Sequence, residues 1–328
     1  MNQQRIGTRV GPYEILSELG RGGMGIIYKA RDRSLERIAA LKFLPVSLAR
    51  DKASRQRFLR EARSLARVDH PNVPSIFSID RSGETWFLAC QYIEGDTLHA
   101  ILRRARRAAE PRPALSVEEA LRIAREVAAA LDATHRHGIV HRDIKPDNIM
   151  IDEDDRVKVL DFGLAKPMRG DMRITQSDMY LGTPEYCSPE QLRGEELDAR
   201  SDLYALGIVL YEMLSGRPPY QNSDTTNLHH AILRGRRPSI RRLRPGVPKA
   251  VESLIHRLIE KDRSRRIDSA AELVGLIDVL RMRLADEEDG LGSRGGGLLR
   301  RVSGISLFSG VLPIGGAALL LQLVDRVL

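Results

Sequence analysis

Three glycines, Gly20, Gly22 and Gly25 in LGRGGMGIIYKA, are spaced as G-x-G-x-x-G. Without Cβ atoms they let backbone N–H groups come close to a phosphate. Three kinds of phosphate site use glycines in this way, and a hairpin with no ligand is the plain alternative. A dinucleotide site needs a helix to open directly after the third glycine. Here Ile26, Ile27 and Tyr28 favour a strand, and Arg31, Asp32, Arg33 and Ser34 favour a turn. A Walker loop needs Gly-Lys followed by Ser or Thr, and Gly25 is followed by Ile26. The third kind is a hairpin laid over a triphosphate, and it requires specific chemistry further along the chain. That chemistry is present in order. Lys42 ends AALK, Glu61 lies in FLREARSLA, HRDIKPDN runs from His141 to Asn148, and Asp161, Phe162 and Gly163 follow.

HRDIKPDN packs His141, Arg142, Asp143, Lys145, Asp147 and Asn148 between a helical pattern and the strand-like IMI, which is a poor match to an ordinary hydrophilic turn. Taken together, these segments resemble the eukaryotic-type protein kinase family in its serine/threonine branch, over about residues 13–284. Ser188, Pro189 and Glu190 are similar to the family's A-P-E with one change, and SDLYALG, Ser201 to Gly207, looks like its loop-anchoring helix. Arg266 stands where the family places an arginine paired with that glutamate, while Arg263 replaces the usual proline.

The resemblance implies ATP and magnesium, with manganese as the alternative metal. It implies that Gly20, Gly22 and Gly25 cover the phosphates and that Ile27 packs on the adenine. Lys42 would hold the α- and β-phosphates through an ion pair with Glu61. Asp143 would be the base, Lys145 would neutralise the γ-phosphate, and Asn148 and Asp161 would hold the metal, whose preference for hard oxygen suits both. His141 and Asp202 would be structural, the latter bonding the catalytic-loop backbone. At the hinge, CQYIEG, Cys90 would wall the adenine, the backbone of Gln91 and Ile93 would bind it, and Glu94 would reach the ribose. Lys145 and Thr183, in GTPEY, point by resemblance to serine and threonine substrates. Thr175 and Ser177 lie where bacterial relatives autophosphorylate, and Arg142 would pair bidentately with the added phosphate. Against this stands a non-catalytic pseudokinase scaffold, which the intact Lys42, Glu61, Asp143, Asn148 and Asp161 disfavour.

The elements that must position these residues divide the chain in two. Residues 13–45 read as short strands, and 51–68 as a helix with Phe58, Leu59, Ala62, Leu65 and Ala66 on one face. HPNVP breaks that helix, and two further strands flank a Ser-Gly turn. From about residue 96 helical patterns take over. Ser116 with Glu119 reads as a capping box, and Gly138 as a stop. The expected fold class is α+β, a bilobal protein kinase fold: a small antiparallel sheet lobe with one helix (13–95) and a larger helical lobe (96–284). Residues 1–12 read as an extension, 285–304 as a flexible linker, and 305–324 as a transmembrane helix.

The whole-chain numbers set limits on these readings. The 328 residues carry a formal charge of +8, 42% hydrophobic and 29% charged residues, as in a soluble globular protein with anionic partners. Two cysteines, Cys90 and Cys187, form no metal spacing or disulfide framework. The basic surface lacks a nucleic-acid module and interleaved aromatics, so no nucleic-acid partner is expected. RRARRAAEPRPA, 103–114, reads as a solvated insertion, with docking to acidic substrates or lipid as the sharper alternative. No charge occurs between Arg301 and Asp325, long enough to span roughly 30 Å of hydrocarbon. With Arg294, Arg300 and Arg301 just before it, the run predicts a single-pass membrane protein with its kinase domain in the cytoplasm; without the span, the protein is cytoplasmic. Protein serine and threonine side chains are the expected substrates, and a homodimer is allowed but not specified.

Overall fold

The computed structural model describes residues 5–22, 25–45, 51–83, 85–107, 115–162, 184–221 and 225–290. Gly163, Thr175, Ser177, Thr183 and the run 305–324 lie outside the described residues.

The smaller lobe is a six-stranded sheet of order β1-β2-β3-β4-β6-β5, formed by β1 Arg9–Val10, β2 Tyr13–Gly22, β3 Gly25–Asp32, β4 Arg37–Phe43, β5 Ile76–Ser82 and β6 Thr85–Gln91. All its pairings are antiparallel. Part of the expected extension thus belongs to the sheet, since Val10 lies opposite Tyr13. Period-two alternation divides the sheet faces. Tyr28, Ala30, Ala39, Leu41, Phe43, Phe87 and Ala89 form one apolar cluster. Ile27 lies opposite Lys42, and Lys42 opposite Leu88, so these three share the other face.

One helix, α1 (Lys52–Leu65), packs on the sheet lobe. Asp51 caps it by accepting from Ser54 N at 2.7 Å. It buries Phe58, Ala62 and Leu65, the i, i+4, i+7 stripe that the sequence suggested. Ala66, expected on that stripe, is the exposed C-cap instead, because the helix has already ended. HPNVP does more than end the helix. Asn72 Nδ2 donates to Glu126 Oε2 (2.9 Å) and Val157 O (2.7 Å), and Asn72 O accepts from Val159 N (2.9 Å). One buried asparagine therefore ties the end of the small lobe to two elements of the large one.

The large lobe begins with β7 (Gly95–Thr97) and α2 (Leu98–Arg107) and continues with α3 (Val117–His135), β8 (Ile149–Asp152) and β9 (Val157–Val159). The expected capping box at Ser116 and Glu119 is made. Then come α4 (Pro189–Leu192), α5 (Ala199–Ser215), α6 (Thr225–Arg234), α7 (Lys249–Leu258) and α8 (Ala270–Gly290). β7, β8 and β9 form a small antiparallel sheet beneath the hinge. Helix α5 is buried on every side from Ser201 to Leu214, which marks a central core helix. Helix α8 runs to Gly290, so residues 285–290, expected to belong to the linker, are helical; no proline or glycine interrupts the helix between Gly275 and that point.

Candidate active site

HRDIKPDN lies between α3 and β8, held from below by α5. Asp202 accepts from His141 N and Arg142 N, both at 2.8 Å, and from His135 Nε2 at 2.8 Å. Arg142 O accepts from Gln191 Nε2 at 3.0 Å. These bonds fix Arg142 at φ 64°, a left-handed conformation that a non-glycine residue seldom adopts. The buried His141 places Nε2 at 2.8 Å from Leu160 O, accepts on Nδ1 from Asp143 N, and packs its ring on Phe162. That geometry is structural, as expected for both His141 and Asp202.

The loop's reactive groups converge on Asp143. Asn148 Nδ2 donates to Asp143 O (2.7 Å) and to Asp143 Oδ2 (3.1 Å). Lys145 Nζ lies 3.4 Å from the same Oδ2. A carboxylate flanked by an amide and an ammonium can orient a hydroxyl and receive its proton. Leu160 N donates to Asn148 O at 2.7 Å, which places Asp161 beside Asn148. Asp161 is also left-handed, at φ 56°.

Lys42 and Glu61 are brought to the site, but not to each other. The buried Lys42 Nζ bonds Asp161 Oδ1 at 2.7 Å. Glu61 Oε1 instead lies 3.8 Å from Arg142 Nη1. The expected Lys42–Glu61 ion pair is therefore replaced by two others in this conformation. Burial raises the Glu61 pKa, and the Arg142 guanidinium only partly opposes that rise. Arg142, expected to receive an activation-loop phosphate, faces the helix of the small lobe. Nothing in the sequence signalled the Glu61–Arg142 contact, because it depends on where α1 sits over the other lobe.

Gly25 has a reason of its own. At φ 118° its added Cβ would lie 1.9 Å from Phe43 O, so any side chain there would collide with β4 backbone. Gly20 and Gly22 meet no such obstacle. Ile27 is half-buried on the Lys42 face. At the hinge, Gln91 N donates to Ser75 O at 2.9 Å. Ile93 is buried and makes no hydrogen bond among the described residues, so its backbone is available. Glu94 is exposed. Burial of the thiol, then the Asp161 carboxylate, pushes the Cys90 pKa up to about 12, so the thiol stays neutral.

Among the described residues no three His, Cys, Asp or Glu side chains gather as a metal site. The donors at hand are the Asp161 carboxylate and the Asn148 side-chain carbonyl. Two hard oxygens fit a magnesium ion that takes its other ligands from phosphates and water.

Two polar clusters below the loop extend the site. Arg266 Nη1 and Nη2 bond the two Glu190 oxygens at 2.6 and 2.8 Å, and Ser201 Oγ donates to Oε1 at 2.7 Å. Tyr186 OH donates to Glu212 Oε2 at 2.5 Å, and Arg106 pairs with Oε1. The Arg266–Glu190 pair was expected from the resemblance; the part of Ser201 and the whole second cluster were not, since no recognised motif specifies those contacts.

The chain matches the family described as Protein kinase domain over residues 13–275. Serine/threonine-protein kinase PrkC of Bacillus subtilis is 39% identical over 269 residues, covering 82% of this chain and 40% of PrkC. Serine/threonine-protein kinase PknH of Mycobacterium tuberculosis is 36% identical over 269 residues, covering 82% of this chain and 42% of PknH. The chain thus spans about two fifths of the length of these curated relatives. The crystal structure of the Mycobacterium tuberculosis PknI kinase domain superposes with a TM-score of 0.65 at 26% identity, covering 83% of this chain and 98% of that one.

Proposed function

The chain belongs to the protein kinase family, and from that premise we propose that it transfers the γ-phosphate of ATP to serine and threonine hydroxyls of proteins. The observation that carries this reading is the convergence of Lys145 and Asn148 on Asp143, with Leu160 N bonded to Asn148 O just before Asp161. Asp143 orients the substrate hydroxyl and takes its proton. The hydroxyl oxygen bonds to the γ-phosphorus, the bond to the bridging oxygen breaks, and ADP leaves. Lys145 offsets charge on the transferred group. Lys42, whose ammonium has two further donors beside the one on Asp161, holds the other phosphates. Asn148 and Asp161 would hold magnesium, which when bound neutralises phosphate charge. Gly20, Gly22, Gly25 and Ile27 cover the nucleotide, and Gln91, Ile93 and Glu94 hold its base and ribose. No observation favours a non-catalytic scaffold.

Regulation belongs to the same reading. Phosphate on Thr175 or Ser177 would order the segment between Asp161 and Glu190, with Thr183 at its substrate end. Arg142 would then exchange Glu61 for the phosphate, and Glu61 would be free to pair with Lys42. The apolar run 305–324 would anchor the protein in the membrane with its kinase domain in the cytoplasm.

One experiment tests the core of this. Asp143→Asn should lower phosphate incorporation from ATP into protein by about 10²–10⁴-fold. Mass mapping of the wild-type reaction should find phosphate on Thr175 or Ser177, absent from the variant. Equal incorporation by wild type and variant would defeat the catalytic reading.

A further inference from the structure

The C-terminal end of α5 is surrounded by arginines that phosphoryl transfer does not use. Three segments meet there. Arg106 of α2 pairs with Glu212. Leu115 N donates to Met213 O at 3.1 Å. Arg244 Nη1 donates to Leu115 O at 2.7 Å and reaches Leu214 O at 3.4 Å. The last turn of α2 and the loop after α6 therefore lie side by side around one helix end.

That loop is strongly biased. From Arg234 to Arg244 the sequence RGRRPSIRRLR has six arginines and no acidic residue. The structure divides them into two groups. Arg237 pairs with Glu260, Arg241 Nε donates to Val247 O, and Arg244 makes the bonds just given. Arg234, Arg236 and Arg242 are exposed, and their side chains have no partner among the described residues. The same holds for Arg103 and Arg107 on the neighbouring α2. Leu243, between two arginines, is 44% exposed, although Ile240 and Val247 on either side are buried. The loop is thus pinned at both ends and presents a leucine flanked by cations.

We propose that this face is a peripheral membrane contact, in which the exposed arginines meet anionic phospholipid headgroups and Leu243 enters the interfacial layer. Charge alone would also suit an acidic protein, but an exposed leucine on the same short loop as exposed arginines suits a surface that is charged outside and apolar beneath. The course of the chain agrees. Arg125 of α3 bonds Asp278 of α8, and Glu118, nearer the start of α3, pairs with Arg281. Helix α8 therefore runs antiparallel to α3 and leaves past its N-terminus, next to Leu115 and Arg244. Beyond it the sequence carries Arg294, Arg300 and Arg301. The proposal depends neither on phosphoryl transfer nor on a membrane span by residues 305–324.

Residues 1–290 suit the test, because this unit has its own core and matches an isolated kinase domain over 98% of that chain. Co-sedimentation is measured with vesicles of phosphatidylcholine alone and of phosphatidylcholine mixed with phosphatidylglycerol. Binding should appear only on the anionic vesicles and fall with added salt. Each arginine near such a surface strengthens binding about fivefold, so Arg236→Glu with Arg242→Glu should weaken it at least about 25-fold. Leu243→Ser should weaken it roughly twofold to threefold while keeping the salt dependence. Thermal melts equal to wild type separate loss of contact from loss of fold. No binding, equal binding to both vesicles, or binding unchanged in the double variant overturns the proposal. So does tighter binding to poly-glutamate than to anionic vesicles with Leu243→Ser without effect, which would assign the face to an acidic protein.

Discussion

Glu190 and Arg266 are sealed from solvent and joined by two bonds of 2.6 and 2.8 Å. Burial alone would push the glutamate pKa up; the Arg266 guanidinium and the Ser201 hydroxyl overcome it and hold the value at about 2. A carboxylate held below its ordinary pKa of 4.5 stabilises the fold fully above that pH, and the contribution is lost as pH falls through about 2. Breaking the pair from one side leaves a charge buried without a partner, which costs about 3–5 kcal/mol. Arg266→Met should lower stability by that amount at neutral pH, read by denaturant unfolding. Its deficit should shrink as the pH drops, starting above 4.5, because burial without Arg266 raises the Glu190 pKa and the orphaned carboxyl takes up a proton. An unfolding midpoint equal to wild type at neutral pH would sink the argument. This pair was legible in sequence because both residues sit in recognisable short segments. The partner of Glu61 was not legible, because the register of α1 shows which way Glu61 points but not how close α1 comes to Lys42 or Arg142.

At the level of elements, α5 links packing to chemistry. Its pattern read as a helix, and SDLYALG, by resemblance, marked Asp202 as its link to the catalytic loop; its burial on every side was not read from sequence. What the sequence left hidden is the reason for Gly207. A Cβ built there lies 2.6 Å from Leu258 Cβ and 2.9 Å from Ile259 Cγ2, so α7 crosses α5 at this glycine. The two helices approach at residues about fifty apart, a distance that no local pattern reports. Gly207→Ala sets two effects against each other. Helix propensity would gain up to about 1 kcal/mol, while overpacking costs typically 1–3 kcal/mol. Both nearest atoms belong to tightly packed residues, one of them a Cβ with no freedom to swing aside, so overpacking should win. The variant should melt a few degrees lower, at about 2–4 °C for each net kcal/mol lost. It should also lose activity, because any shift of α5 carries Asp202 with it. A higher melting temperature would mean that α7 yields and propensity decides.

The two-lobe architecture was the most legible feature of the whole molecule, since strand patterns precede helical ones along the chain. The joints between lobes were not. Asn72 and the Glu61–Arg142 pair cross the cleft between segments distant in sequence. The membrane reading also belongs to this scale. Among the described residues no helix is long and apolar enough to cross a membrane. The candidate run, Ile305 to Val324, has eleven Leu, Ile, Phe or Val residues. At roughly −0.3 to −0.6 kcal/mol each, they favour insertion by about −3 to −7 kcal/mol, less what Pro313, the glycines and Gln322 subtract. A span and the arginine face make different demands on extraction. Contacts of arginine with headgroups are screened by salt, whereas a span is indifferent to it. Membranes carrying residues 1–328 should therefore keep the protein through a high-salt wash and release it only in detergent. Residues 1–290 should come off in salt. Release of both by salt would leave the arginine face as the membrane contact and remove the span. Recovery of residues 1–328 in the soluble fraction without salt or detergent would remove the span and count against the arginine face as well, since a chain that carries both would then hold to neither.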